Sequence, residues 1–319
     1  MKKGIIIVAA VLVAVGVALF AAALISARFD WSVLGTTQYE TNNYAAEGDF
    51  QKIEINTTTT DVAFEPSGNG NCYVVCRERN NVKHTVTVEN GTLKITAVDE
   101  RTWIDRIEFY TERLSMTVYL PKNTYDALAV RGSTADVTVP EAFSFGSVDI
   151  RGSTGDVALS ASVTGLLKVE TSTGDVKVSG VRVGSAELTA STGKIDLSAV
   201  TCDGVLSIEV DTGKTTMTDV TCGSFSSTGD TGDITLKNVV VAEGLSITRD
   251  TGDVRFENSD AAEITVRTST GDVTGTLRSA KIFMISTSTG DVRVPESTTG
   301  GICRVTTSTG DVKLALSAA

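Results

Sequence analysis

The pentapeptide Ser-Thr-Gly-Asp-Val, intact or lightly altered, recurs through the second half of the chain. Its glycines stand at Gly155, Gly174, Gly193, Gly213, Gly232, Gly252, Gly271, Gly290 and Gly310, always 19 or 20 residues apart. A short period sustained over this length is the mark of a solenoid, in which each repeat buries its apolar face against its neighbours. Very few other folds accommodate such a pattern.

The residues around each glycine set the course of one coil. Two and four positions after it come pairs such as Val157 and Leu159, Val176 and Val178, and Ile234 and Leu236. Seven and five positions before it come Leu167 and Val169, Leu206 and Ile208, and Ile264 and Val266. Both are alternating, strand-type runs. The inward positions are odd-numbered before the glycine and even-numbered after it. A straight strand cannot change parity in this way, so the chain must bend at Thr-Gly-Asp. Glycine accepts positive φ there, and Asp and Ser side chains bond nearby backbone N–H groups. Each coil is predicted to be strand, corner, strand and looser turn. The parity also turns the threonines before each glycine, Thr154 to Thr309, toward the interior as a hydroxyl ladder.

Weaker copies precede the regular ones. Leu128, Val130, Val137 and Val139 fit the same offsets with Ala135 at the glycine position, and Ile53, Ile55, Val62 and Phe64 fit with Thr60 there. Between Val62 and Leu128 the period is lost. Strands still read at Tyr73–Cys76, Thr85–Val88, Leu93–Thr96 and Ser115–Leu120, with a hairpin turn at Asn90-Gly91. The predicted class is all-β, a parallel β-solenoid (single-stranded β-helix) with coils of 19–20 residues, preceded by one N-terminal transmembrane helix. The organisation follows: residues 1–27 as cytoplasmic tip and transmembrane anchor, 28–49 as juxtamembrane linker, 50–127 as irregular β cap and first coil, and 128–319 as the regular solenoid.

The anchor rests on Gly4–Ile25, which is uncharged, almost wholly apolar and preceded by Lys2 and Lys3. Its length suits a bilayer core, and the lysines orient the N-terminus to the cytoplasm and the solenoid outside. Ala21-Ala22-Ala23 leaves processing open. In the linker, Trp31 and Tyr39 suit a membrane interface. The formal net charge of −11 argues against a nucleic-acid partner, which requires a basic face.

Chemistry is sparse. The single histidine, His84, reads as structural, and no triad can be assembled except around it. Neither a phosphate loop nor a zinc-type cysteine spacing is present. Of the five cysteines, Cys202 and Cys222 lie one repeat apart and stack within disulfide range, either bonded or as two small buried thiols. The aspartates after the corner glycines, Asp156 to Asp311, form a column interrupted by Lys194 and Lys214. Asp211, Asp230 and Asp250 form a second, shorter column. Corner-forming is the plainer role. Where both columns are filled in adjacent coils, at Asp230, Asp233, Asp250 and Asp253, the oxygens could hold calcium, which takes several such ligands. No catalytic residue and no other cofactor are indicated. A cluster of Trp103, Asp105, Arg106, Glu108 and Tyr110 lies off the repeat. The final coil, Asp311 to Ala319, ends without a capping helix and exposes a strand edge, open to a partner or a second copy.

The repeated Ser-Thr-Gly-Asp-Val, the segment Met116-Thr-Val-Tyr-Leu-Pro121 and the segment Gly91-Thr-Leu-Lys-Ile-Thr96 resemble a bacterial family of "putative adhesins" with β-strand repeats, a domain of unknown function. The resemblance covers about residues 50 to 319. It implies a parallel β-solenoid, often behind a membrane anchor and near cell-envelope stress systems, and it supplies no catalytic residues. The expectation is a membrane-anchored, extracytoplasmic, non-catalytic module for binding, adhesion or scaffolding at the bacterial envelope, with a protein or glycan partner. The alternatives are a surface carbohydrate-active enzyme on a β-helix and a regulatory partner of a membrane stress-sensing system.

Overall fold

The computed structural model describes residues 2–26, 38–101 and 112–317. Trp31 and the cluster from Trp103 to Tyr110 lie outside them. From Lys52 on, most of the described strands form parallel coils. Val157 pairs with Val137 on one side and Val176 on the other, Val176 pairs with Ile195, and Ile195 with Thr215. We refer to each coil by its corner residue.

One coil shows why the sequence takes this path. After the Gly193 corner, Ile195 and Leu197 point inward and are buried. The backbone then breaks at Ala199, which has φ 53°, so that Val200 and Cys202 become the next buried pair. A bulge between Cys202 and Val205 makes a second break, followed by buried Leu206, Ile208 and Val210. Gly213 at φ 150° closes the circuit. The coil therefore has three sides and three corners, one side more than the two strands expected. The middle corner recurs as a left-handed column at Gly180, Ala199, Asp219, Asn238 and Asn258. Asn and Asp tolerate that conformation better than other residues with a Cβ. Here they also bond along the stack: Asn258 Nδ2 donates to Asn238 Oδ1 and Asn238 Nδ2 to Asp219 Oδ1, each at 2.9 Å.

The threonines before each corner do not face inward. Thr154, Thr173, Thr192, Thr212, Thr231, Thr251, Thr270, Thr289 and Thr309 are all exposed. The last inward residue lies three before the glycine, for example Ala190 or Val210. The backbone rolls outward from there, so the parity rule fails one step before the corner. That inward position also holds a charge in one coil. Arg249 is 2% exposed and fits because the neighbouring coil has Gly229, where a Cβ would stand 2.5 Å from Arg249 Nη1. Arg249 Nη2 donates to Ser227 Oγ at 2.9 Å, and burial pushes the guanidinium down to about 10.

The core is one continuous column of buried side chains that runs the length of the solenoid. Thr215 interrupts it. Its side chain is fully buried and its hydroxyl has no partner, in a position that neighbouring coils fill with Ile195 and Ile234. An unmade buried hydrogen bond costs about 1–3 kcal/mol. Thr215→Val keeps the shape and removes the hydroxyl. It should raise unfolding stability by about 1 kcal/mol, read as a higher denaturant midpoint at unchanged slope; a lower midpoint would contradict this account.

The coils are not stacked in chain order. At the C-terminal end, Ile264–Val266 of the Gly271 coil pairs with Cys303–Val305, and those residues pair on their other side with Phe283–Ile285. The corners agree, since Gly271 N donates to Thr309 O and Gly310 N to Thr289 O. The last coil in sequence thus lies between the Gly271 and Gly290 coils. The edge expected at 311–319 is therefore an interior position. Among the described residues the open edge belongs to Lys281–Thr289 and Val292–Arg293, whose strands each pair on one side only. Met284 and Val292 are exposed there. Lys281 Nζ reaches back two coils to Asp260 Oδ1 at 2.8 Å.

The same exchange occurs at the other end. The Thr60 coil pairs with the Ala135 coil and, on its outer side, with Thr92–Asp99 and Leu114–Leu120. The hairpin of Tyr73–Arg79 and Val82–Glu89 closes this end by antiparallel pairing with Leu114–Leu120 and Thr92–Asp99. Asn90 and Gly91, at φ 51° and 72°, form the turn between Val82–Glu89 and Thr92–Asp99. Tyr39–Ala45 pairs antiparallel to Tyr73–Arg79, so part of the expected linker is a strand.

The membrane span expected at Gly4–Ile25 requires correction. The segment is helical, as part of Lys2–Ser26. Among the described residues, however, no helix is long and apolar enough to cross a membrane.

Candidate binding groove and buried cap cluster

The corner aspartates act along the stack. Asp136 Oδ1 accepts from Asp156 N, Asp156 Oδ1 from Asp175 N, and Asp175 Oδ1 from Lys194 N, each at 2.8 Å. The ladder stops at the two lysine coils. It resumes with Asp233 Oδ1 accepting from Asp253 N at 3.1 Å and runs out through Asp253, Asp272 and Asp311 to Asp291. A carboxylate that accepts a backbone N–H from the next coil offsets part of its repulsion with the aspartate above it. All four calcium candidates are exposed, and two of them, Asp233 and Asp253, are engaged in this ladder. No three of them bring ligand atoms within 4.8 Å of one another.

A groove of about 410 Å³ runs across the coils beside this corner. Its floor exists because Gly132 and Gly152 occupy the inward position that later coils fill with Thr171 and Ala190. A Cβ at Gly152 would meet nothing closer than Gly132 O at 3.9 Å. Arg131, Arg151 and Glu170 stand along one wall and the serines before the corner along the other. Arg151 Nε donates to Asp149 Oδ1 at 2.8 Å and lies 3.8 Å from Glu170. Thr57, at the outer end, has a buried hydroxyl without a partner. The groove thus offers guanidinium donors, one carboxylate and a row of hydroxyls. No single sequence motif marks it, because its residues come from five coils.

The second site lies in the cap. Cys76 and Glu78 alternate on Tyr73–Arg79 and face inward, and His84 follows on the returning strand of the hairpin. All three are buried. His84 Nδ1 is 2.7 Å from Glu78 Oε2, and His84 N donates to the same oxygen at 3.0 Å. Asn42 Nδ2 donates to Glu78 Oε1 at 2.8 Å, and the Tyr44 hydroxyl bonds there too. His84 Nε2 has no partner. Burial, and then the Glu78 charge, push the Cys76 thiol up to about 12. The structural role expected for His84 thus comes with two companions that sequence reasoning missed. All five cysteines are free and buried, with Cys202 and Cys222 in register on adjacent coils.

Comparison with known proteins agrees with this architecture. A "putative adhesin" of known structure from Parabacteroides distasonis aligns with a TM-score of 0.52 at 14% identity, over 88% of this chain and 98% of that one. A "putative adhesin" from Bacteroides fragilis gives 0.47 at 14% identity, over 87% and 97%. A "putative lipid binding protein" from Parabacteroides distasonis gives 0.42 at 15%, over 88% and 98%. At this identity the first of these speaks to fold alone, and no curated protein matches the chain. The profile of one family, however, fits residues 50–205 and again 201–319, and the two matches together span the solenoid. The chain belongs to the Toastrack DUF4097 family.

Proposed function

We propose that this chain is a non-catalytic binding module of the bacterial cell envelope. The groove over Gly132 and Gly152 carries the reading. It is a preformed depression on a rigid scaffold, lined by donors suited to a hydroxyl- or carboxylate-rich ligand. An acidic envelope glycan fits that lining, with Arg131 and Arg151 as its charged contacts. Self-association, if tested, belongs at the Lys281–Arg293 edge rather than at residues 311–319.

The test uses a chain carrying Gly152→Ala or Arg151→Ala and a purified acidic cell-wall polysaccharide. Gly152→Ala should leave unfolding stability unchanged or slightly raised, since glycine within a strand costs about 0.5–1 kcal/mol. Both variants should weaken binding about tenfold. Binding that is unaffected by both would remove the groove from the account.

A further inference from the structure

We infer that Cys76, Glu78 and His84 form a binding site for a soft divalent metal ion such as zinc, inside the hairpin that closes the N-terminal end of the solenoid. The site is independent of the groove and of the proposed function.

Three observations support it. First, one ligand atom from each residue lies within 4.8 Å of the other two, and this is the only such trio among the described His, Cys, Asp and Glu residues. A thiol, an imidazole and a carboxylate make a zinc donor set; calcium and magnesium would demand oxygens. Second, His84 Nε2 is buried and unpartnered. If Nδ1–H donates to Glu78, Nε2 presents an unused lone pair in a closed interior. If the ring is protonated, Nε2–H is a buried donor with no acceptor, which is a costly arrangement. A metal ion resolves either case. Third, the charges balance. A divalent ion with one thiolate, one carboxylate and a neutral imidazole is neutral as a unit, so it can be buried without the penalty of an isolated charge.

The surroundings suit an outer shell. Asn42 and Tyr44, from the strand laid over the hairpin, already bond to Glu78 Oε1, as the second partners of metal-bound carboxylates do. Burial, and then the Glu78 charge, raise the Cys76 thiol. Coordination reverses that and releases its proton: the S–H bond breaks, the sulfur lone pair forms the metal bond, and one proton leaves to solvent. A water molecule or the Tyr44 hydroxyl can take the fourth position. The ion would tie the two strands of the hairpin to each other and thereby hold the lid on this end of the core.

The test is to unfold the full chain, strip it with a chelator, and refold it with cobalt(II) as a spectroscopic stand-in for zinc. The expected result is one cobalt per chain, with a thiolate-to-cobalt charge-transfer band and strong ligand-field bands of a four-coordinate site. Zinc should displace the cobalt and raise the melting temperature by several degrees. Cys76→Ser should abolish the charge-transfer band, His84→Gln should weaken binding at least tenfold, and Cys72→Ser should leave both intact. The inference fails if the refolded wild-type chain shows no thiolate band, or if the band survives Cys76→Ser. Should His84→Gln not fold, as judged by circular dichroism, the wild-type spectrum and Cys76→Ser decide the matter.

Discussion

Gly213→Ala should destabilise the solenoid by about 4 kcal/mol or more, among the largest effects of a single methyl group anywhere in the chain. Two costs combine. At φ 150° an L side chain is strained by about 1–3 kcal/mol. The added Cβ would also stand 1.7 Å from Gly193 O and 2.7 Å from its carbonyl carbon. Those are backbone atoms of the neighbouring corner, so no rotamer change relieves the clash. The coils would have to separate, breaking the bond in which Gly193 N donates to Thr212 O at 3.0 Å. Because coils contact only their neighbours, a defect in mid-stack uncouples the two halves. Urea unfolding should show a lower midpoint and a second transition. Gly152→Ala is the control, since a Cβ there meets open space. If the two variants unfold alike, close stacking at the corner is not what the glycine serves.

Ending the chain at Thr309 should have a comparable effect, although it removes only a few residues. In a solenoid stacked in chain order, trimming the end strips one outer layer. Here the lost strand, Val312–Leu316, lies between Val273–Leu277 and Val292–Arg293. Val312 and Leu314 are buried, at 0% and 5% exposure. Losing two such side chains costs about 4 kcal/mol in apolar burial. The corner ladder also loses its link through Asp311, which accepts from Asp291 N and donates its own N–H to Asp272. Hydrogen exchange should accelerate in Val273–Leu277 and Val292–Arg293 together. Val292→Lys, on the exposed edge, should change stability by less than about 0.5 kcal/mol. Exchange rising only in the residues next to the cut would contradict the observed order of coils.

Much of this architecture was legible from the repeat. The spacing of glycines and the shift in parity around them specify parallel coils that bend at Thr-Gly-Asp, and Asn90-Gly91 specifies a hairpin. The second corner was not legible, because Gly180, Ala199, Asp219, Asn238 and Asn258 share a left-handed backbone but no side-chain type. The threonines were misplaced because alternation says nothing about where a strand begins to roll over. The exchange of the last two coils left no trace for a simple reason. Gly290 and Gly310 keep the regular spacing, and every coil presents nearly the same edge to its neighbours, so local pattern does not encode stacking order. The cap cluster was hidden differently. Cys76, Glu78 and His84 carry no motif, and only the pairing of Arg79 with Val82 folds the three together.

The displaced coils at the two ends bear on how the protein is made. A rod stacked in chain order can grow as it leaves the ribosome, each turn settling on the one before. Here the Gly290 segment emerges with no surface of its own to rest on, since its sole partner is the stretch that follows it. That stretch must slot into a gap already bounded by the Gly271 coil. The final layers therefore form only once the following stretch has emerged, as one cooperative step. Until then the growing molecule carries an unfinished apolar face, which is the interval in which a chaperone or a neighbouring chain could engage it.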